Sequence, residues 1–323
     1  MKLAEQESLK TSKIIYFVGW MKTIIHHTIH YFHSSDKRIL SAVSLFTAVF
    51  VYINYTYGLD TAIRKNSSLA FKLIAWYLVF LTAFGVPYLL YSIASKIPKH
   101  PKFLLLIFIA PAIFAIKISL RFPFHFNDNL LYNEWWNHIV YWPLLLLITT
   151  VLVYITWQLT NRGHIPFAGL KTKDIYWKPY WLMLLIMMPL IAVASTQPDF
   201  LAVYPKLQSI AVIDNTQSLS TWQKLLFELS YGSDFLTIEL FFRGFLVLGF
   251  MKWAGKDAIL PMACFYCAIH FGKPLGECIS SYFGGILLGI VVYHTRSIFG
   301  GLMVHLGIAW LMELGGFLGN KLL

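Results

Sequence analysis

Glu239, Arg243, His270 and His305 lie inside some of the most apolar stretches of the chain. The first two are in SDFLTIELFFRGFLVLGF, His270 closes PMACFYCAIHF, and His305 lies in IFGGLMVHLGIAWLMEL. Glu239 and Arg243 are four residues apart, a spacing that puts both on one helix face with the acid nearer the N-terminus, the favourable order for an ion pair. A carboxylate, two imidazoles and a cation gathered away from bulk water can activate a water molecule toward a carbonyl. Glu would act as base, and His would orient the water or donate to the oxyanion. Taken singly, each has a plainer role: Glu239 and Arg243 could merely neutralise each other, and a lone histidine could merely bond a neighbouring helix. An ionisable group at mid-membrane depth costs about 2.5–3.5 kcal/mol on insertion scales, so several on neighbouring helices argue for convergence on one pocket.

The elements that position them follow from composition. The chain has 323 residues, 58% of them hydrophobic and only 13% charged. A soluble domain averages about 25% charged residues, and no aqueous fold of this length hides so much apolar surface. Apolar runs occupy about 39–57, 69–94, 103–120, 139–158, 180–196, 235–252, 258–272, 278–295 and 298–318. The seventh is short, so the expectation is eight or nine transmembrane helices. An open sheet cannot cross lipid, and no series of alternating ten-residue segments points to a barrel. The fold class is all-α, a polytopic membrane helical bundle.

Composition divides the chain into a cytoplasmic amphipathic head (1–38), an N-terminal transmembrane bundle (39–197), an outer segment (198–234) and a C-terminal core bundle (235–323). In the outer segment PDFLAVYPKL reads as an irregular loop, followed by a short interfacial helix that Ser220 or Thr221 could cap. MKLAEQESLKTSK shows no short apolar core before a small-residue cleavage site, so the first spans are expected to direct insertion. Placing the N-terminus inside puts basic residues on the inner side by two to one, the orientation expected in a plasma membrane. The net charge of +11 is then a surface for anionic lipid headgroups and calls for no nucleic acid. His26, His30 and His33 share a helix face with metal-like spacing, but on a surface helix they read as headgroup-facing. Cys264 and Cys267 form a C-x-x-C without a second pair, and read as buried thiols.

Other hydrolytic signatures are absent. The sequence holds no H-E-x-x-H helix and no G-x-S-x-G elbow, and YGSD at 231–234 has no glycine directly before its aspartate. What remains is IELFFRG (238–244), then Tyr266-x-x-x-His270 leading into HFGKPLGE (270–277), then HLGIA (305–309). In order and spacing these resemble the CPBP family of CAAX proteases and bacteriocin-processing proteins, defined by E-E-x-x-x-R, aromatic-x-x-x-His and His-x-x-x-Asn/Asp on successive helices. The likeness covers roughly 232–318. It implies glutamate-dependent hydrolysis of a peptide bond in a prenylated or membrane-associated peptide, without cofactor; zinc is possible but not favoured. By the same resemblance the catalytic residues are Glu239, Arg243, His270 and His305; Tyr266, and from their own placement Lys273, Glu277 and Glu313, are possible support, and Lys273 and Glu277 could pair.

Two positions depart from that pattern. Ile238 stands where the family has its water-activating glutamate, and Ala309 where it has Asn or Asp. Glu277, after the Lys273-Pro274 turn, and Glu313, eight residues beyond His305, are the carboxylates that could compensate. The same losses support a rival reading, a catalytically lapsed relative serving as a membrane scaffold or bacteriocin-immunity protein. A third reading is a proton-coupled transporter using the Glu and His as a relay; the lack of an internal repeat counts against it.

Overall fold

The computed structural model describes residues 24–94, 96–97, 100–160, 166–172, 175, 177–208 and 219–322. Most of the amphipathic head, including Lys2, Lys10, Lys13 and Lys22, therefore lies outside the described residues. A helix at 24–34 (α1) carries His26, His30 and His33. It is followed by α2 (Lys37–Tyr57), α3 (Leu59–Lys65), α4 (Leu69–Ile93), α5 (Pro101–Ser119), α6 (Leu130–Thr160) and α7 (Lys178–Ala194). The C-terminal half comprises a single turn α8 (Pro198–Leu201), α9 (Thr221–Ile238), a π-helical stretch Glu239–Leu248, α10 (Met251–Ala254), α11 (Ile259–Ala268), α12 (Leu275–Thr295) and α13 (Phe299–Leu322). No strand occurs among the described residues.

Six of these helices, α2, α4, α5, α6, α12 and α13, are long and apolar enough to cross a membrane, and α7 is a shorter apolar helix. The expected polytopic all-α bundle stands. The two runs that are not simple spans are informative. The run expected at 235–252 has no start of its own: α9 begins at Thr221, capped by the Ser220 hydroxyl on Gln223 N–H with the Gln223 side chain reaching back, and passes unbroken into the π-helical stretch. The short interfacial helix and the sixth run are thus one rod. The run at 258–272 condenses to α11, whose ten residues rise about 15 Å, half the hydrocarbon thickness.

Every residue of α11 and of the π-helical stretch is buried. Short or irregular helices at membrane depth are tolerated when protein surrounds them, and here the N-terminal half does so. Phe80 and Phe84 of α4 and Phe114 of α5 pack on Phe265 of α11, with Phe80–Phe265 centroids at 5.0 Å. Phe114 also meets Phe241 and Phe242. On another side Thr47 of α2 contacts Cys264 (3.3 Å), and Ser44 meets the Tyr282 hydroxyl of α12 (3.0 Å). The two bundles are joined by charge as well, since Lys117 of α5 pairs with Asp234 of α9 at 2.7 Å.

Candidate active site

The π-helical stretch decides which side chain faces inward. Ile238 packs into the apolar core, while Glu239, the first residue of the wider winding, is wholly buried and turned toward α13. Such widened turns recur at functional sites because they re-aim side chains. Glu239 Oε1 accepts from His305 Nδ1 at 3.0 Å. Nε2 of the same ring meets the Tyr266 hydroxyl at 3.0 Å, so the α9 rod, α13 and α11 are joined by one polar chain.

Arg243, also wholly buried, sets Nη1 3.2 Å from Glu239 Oε1, and its guanidinium lies over the Tyr266 ring at 4.1 Å. The pairing is one of charge rather than an aligned hydrogen bond. Glycine at 301 is what lets α13 come this near: a Cβ there would stand 2.7 Å from Glu239 Oε2. Phe235 closes the next side, its ring 4.8 Å from that of His305.

His270 joins the group at Tyr266 rather than at Glu239. It lies in the turn after α11, edge-on to Tyr266 at 4.7 Å, with Nδ1–H donating to the Tyr266 carbonyl at 2.8 Å. Tyr266 thus separates the two imidazoles. His305 has both nitrogens engaged, whereas Nε2 of His270 meets no hydrogen-bond partner among the described residues.

Beyond His270 lies a second polar group. Lys273 and Glu277, expected as a possible pair, stand 3.3 Å apart. Tyr204, which the sequence did not single out, donates its hydroxyl to the Glu277 carboxylate, 3.1 Å from each oxygen, and accepts from Lys273 Nζ at 2.8 Å. Glu313 is not on the His305 side of this network. Its Oε2 accepts the Lys206 backbone N–H at 2.8 Å. The segment 198–208 is therefore a strap tied down at several points: Asn320 donates to the Tyr204 carbonyl at 2.9 Å, and the Tyr204 backbone rests on Gly316, where a Cβ would come within 2.5 Å. The only hint in the sequence was a Tyr-Pro within a loop.

Buried beneath the lysines and glutamates, the Tyr204 hydroxyl is held well above the ordinary tyrosine range. Burial pushes the Lys206 ammonium down to about 7, the nearby Lys273 charge adding to the effect while Glu277 and Glu313 oppose it. The cysteines are free: Cys267 lies against Cys278 of α12, with sulfurs 3.8 Å apart, not against Cys264. Among the described residues no three His, Cys, Asp or Glu side chains stand close enough to hold a metal ion.

Residues 224–311 match the family described as Rce1-like, type II CAAX prenyl endopeptidase Rce1-like. The matched segment runs from α9 through α11 and α12 into α13, about a quarter of the chain, and includes Glu239, Arg243, Tyr266, His270, Glu277 and His305 but neither Glu313 nor the Tyr204 strap. Over this segment, then, the chain is similar to the CAAX-type intramembrane proteases, in agreement with its motifs. No curated protein and no solved structure matches the chain.

Proposed function

We propose that the chain is an intramembrane endopeptidase that hydrolyses a peptide bond in a prenylated or otherwise membrane-associated peptide, using Glu239, Arg243, His270 and His305. The observation that carries this reading is the chain Glu239–His305–Tyr266, drawn from three helices inside an apolar bundle, with His270 beside it. Such a chain is costly to bury and is most simply accounted for by chemistry. Glu239, paired with Arg243, keeps a fixed negative charge under His305 and fixes the ring's orientation. With the ring hydrogen on Nδ1 donated to Glu239, Nε2 of His305 is an acceptor, and the Tyr266 hydroxyl beside it can turn its hydrogen to a carbonyl oxygen as that becomes an oxyanion. His270 Nε2 faces the less buried side and can take the proton of the attacking water.

The test is cleavage of a farnesylated fluorogenic peptide by the purified chain in nanodiscs, with Glu239→Gln alongside. Peptide release by the wild type, and a fall of about 100-fold or more in kcat for the folded fraction of the variant, whose thermal midpoint also falls because Arg243 loses its partner, is the expected result. Ile238, Ala309 and the sealed position of Glu239 favour a second reading, a lapsed relative that binds such peptides without cutting them. Binding without cleavage, unchanged in Glu239→Gln, would select it.

A further inference from the structure

His270 leaves α11 through a tightened turn. Its backbone N–H bonds the Cys267 carbonyl at 3.0 Å and the Phe271 N–H bonds that of Ala268 at 3.3 Å, each three residues back rather than the four of an α-helix. The Tyr266 carbonyl, which a continued α-helix would give to the His270 N–H, goes instead to the imidazole, whose Nδ1–H meets it at 2.8 Å. A carbonyl can only accept, so this bond puts the ring hydrogen on Nδ1 and leaves Nε2 as the basic nitrogen. The direction of the ring therefore depends on the turn staying tight.

The three residues that follow His270 are each held from the N-terminal half. Phe271 is buried edge-on to Phe50 of α2, with centroids 5.2 Å apart. Gly272 takes φ +82, and a Cβ there would collide with the Asp60 carboxylate of α3, which rests against its backbone. The Lys273 carbonyl accepts the Tyr55 hydroxyl of α2 at 2.6 Å, while the Lys273 N–H closes the turn on the His270 carbonyl at 3.1 Å.

The corner that supplies these contacts is itself firmly braced. α2 ends and α3 begins at Gly58, in the left-handed conformation with φ 64, and the Gly58 N–H bonds the Asn54 carbonyl. The Asn54 side chain accepts the Asp60 N–H at 3.0 Å, and Asp60 Oδ1 accepts from Arg64 Nε at 2.6 Å. The Arg64 guanidinium in turn lies over Trp76 of α4 at 5.3 Å. Asn54 and Asp60 are both buried, an unfavourable place for polar groups unless they are bonded to a purpose. Residues 50–64 lie outside the segment 224–311 that carries the family likeness, yet what they grip is the turn behind His270.

We propose that the corner between α2 and α3 is a positioning element for His270, with Tyr55 as its principal residue. Through its bond to the Lys273 carbonyl, Tyr55 keeps the turn tight and the Tyr266 carbonyl reserved for the imidazole. The inference rests on the hydrolytic function proposed for the chain. Tyr55 touches no reacting atom and acts only through where the His270 ring points.

The experiment uses the full chain in nanodiscs as wild type, Tyr55→Phe, Phe50→Leu and, as a control, Tyr57→Phe, whose ring is exposed at the end of the same helix. One readout is kcat and KM on the farnesylated peptide. The other is carbethoxylation of His270 by diethyl pyrocarbonate, followed by peptide mass spectrometry, which needs no turnover. While the Tyr266 carbonyl holds Nδ1, the reagent adds to Nε2 alone; a ring set loose presents both nitrogens and takes a second carbethoxy group. Tyr55→Phe should lower kcat about tenfold or more at unchanged KM and raise the doubly modified share of His270. Phe50→Leu should do both in smaller measure, and Tyr57→Phe should match the wild type. Wild-type cleavage with either kcat or the modification pattern unmoved in Tyr55→Phe overturns the inference and leaves the hydrolytic reading standing, as does a loss expressed in KM alone. If the wild type cleaves nothing, the hydrolytic reading fails, and the catalytic part of the inference falls with it even where the modification pattern shifts. Should Tyr55→Phe not fold, an unmoved pattern in Phe50→Leu overturns the inference by itself.

Discussion

The floor of the site and its strap end use the same residue types, an acid, a cation, a tyrosine and a histidine, yet they are assembled by different means. On the floor Glu239 and Arg243 come from one helical stretch, are wholly buried, and depend on a local change in winding and on a glycine across the gap. At the strap end Glu277 and Lys273 keep part of their surface in solvent and are held by a tyrosine 73 residues from the glutamate in sequence. The contrast is one of solvent access. A group that must hold a fixed charge is best sealed, whereas groups that exchange protons with water have to stay within its reach.

The strongest blow to this contrast is delivered at Arg243. Removing one partner of a buried ion pair leaves the other uncompensated, so Arg243→Met should cost about 3–5 kcal/mol, read as a large fall in thermal midpoint in detergent. The lysine of the partly exposed strap-end pair, replaced the same way at Lys273, should cost about 1 kcal/mol or less. Equal losses at the two positions would erase the distinction. A finer probe is Gly301→Ala, which brings a carbon to 2.7 Å from the Glu239 carboxylate and should displace it from His305. Stability falls by about 1–3 kcal/mol, and peptide cleavage falls with it; an unchanged cleavage rate would show that the Glu239–His305 contact is dispensable.

The last expected effect is pH-dependent and belongs to the strap end alone. Lys206 is held down to about 7 in the docked strap and returns to about 10.4 once released. Between these values the released form holds more protons, so docking tightens as pH rises. Amide protection across 198–208, corrected for intrinsic exchange, should rise from pH 7 to 9 by up to about tenfold per unit and lie flat in Lys206→Met. Protection that falls over this interval would assign the pH response to another group.

Much of this arrangement was legible in the residues. Each of the nine apolar runs is helical, and the floor of the site assembles from the side chains whose polarity was out of place in them: Glu239, Arg243, Tyr266 and His305. Periodicity reports which face a residue occupies but not where a helix widens, so the choice of Glu239 over Ile238 as the inward residue could not be read. Nor could the separation of His270 from Glu239, because the ring that divides them belongs to the same motif as His270. Tyr204 was invisible for a different reason. Its partners lie on helices far along the chain, and a loop tyrosine carries no periodic signal. Lys117 shows the same limit: IFAIKIS marks an odd residue in an apolar run, but only the fold reveals Asp234 opposite it.

The brevity of α11 bears on how such a chain is made. A helix half as tall as the hydrocarbon layer leaves its ends at a depth where water cannot reach them, and so has no stable resting place in lipid by itself. Its Phe265 ring seats against α4, α5 and the widened turn, and its Tyr266 ring against the widened turn and His305 of α13. The earlier helices α4 and α5 thus supply one wall of the enclosure that α11 needs, and the later helices α12 and α13 supply the rest.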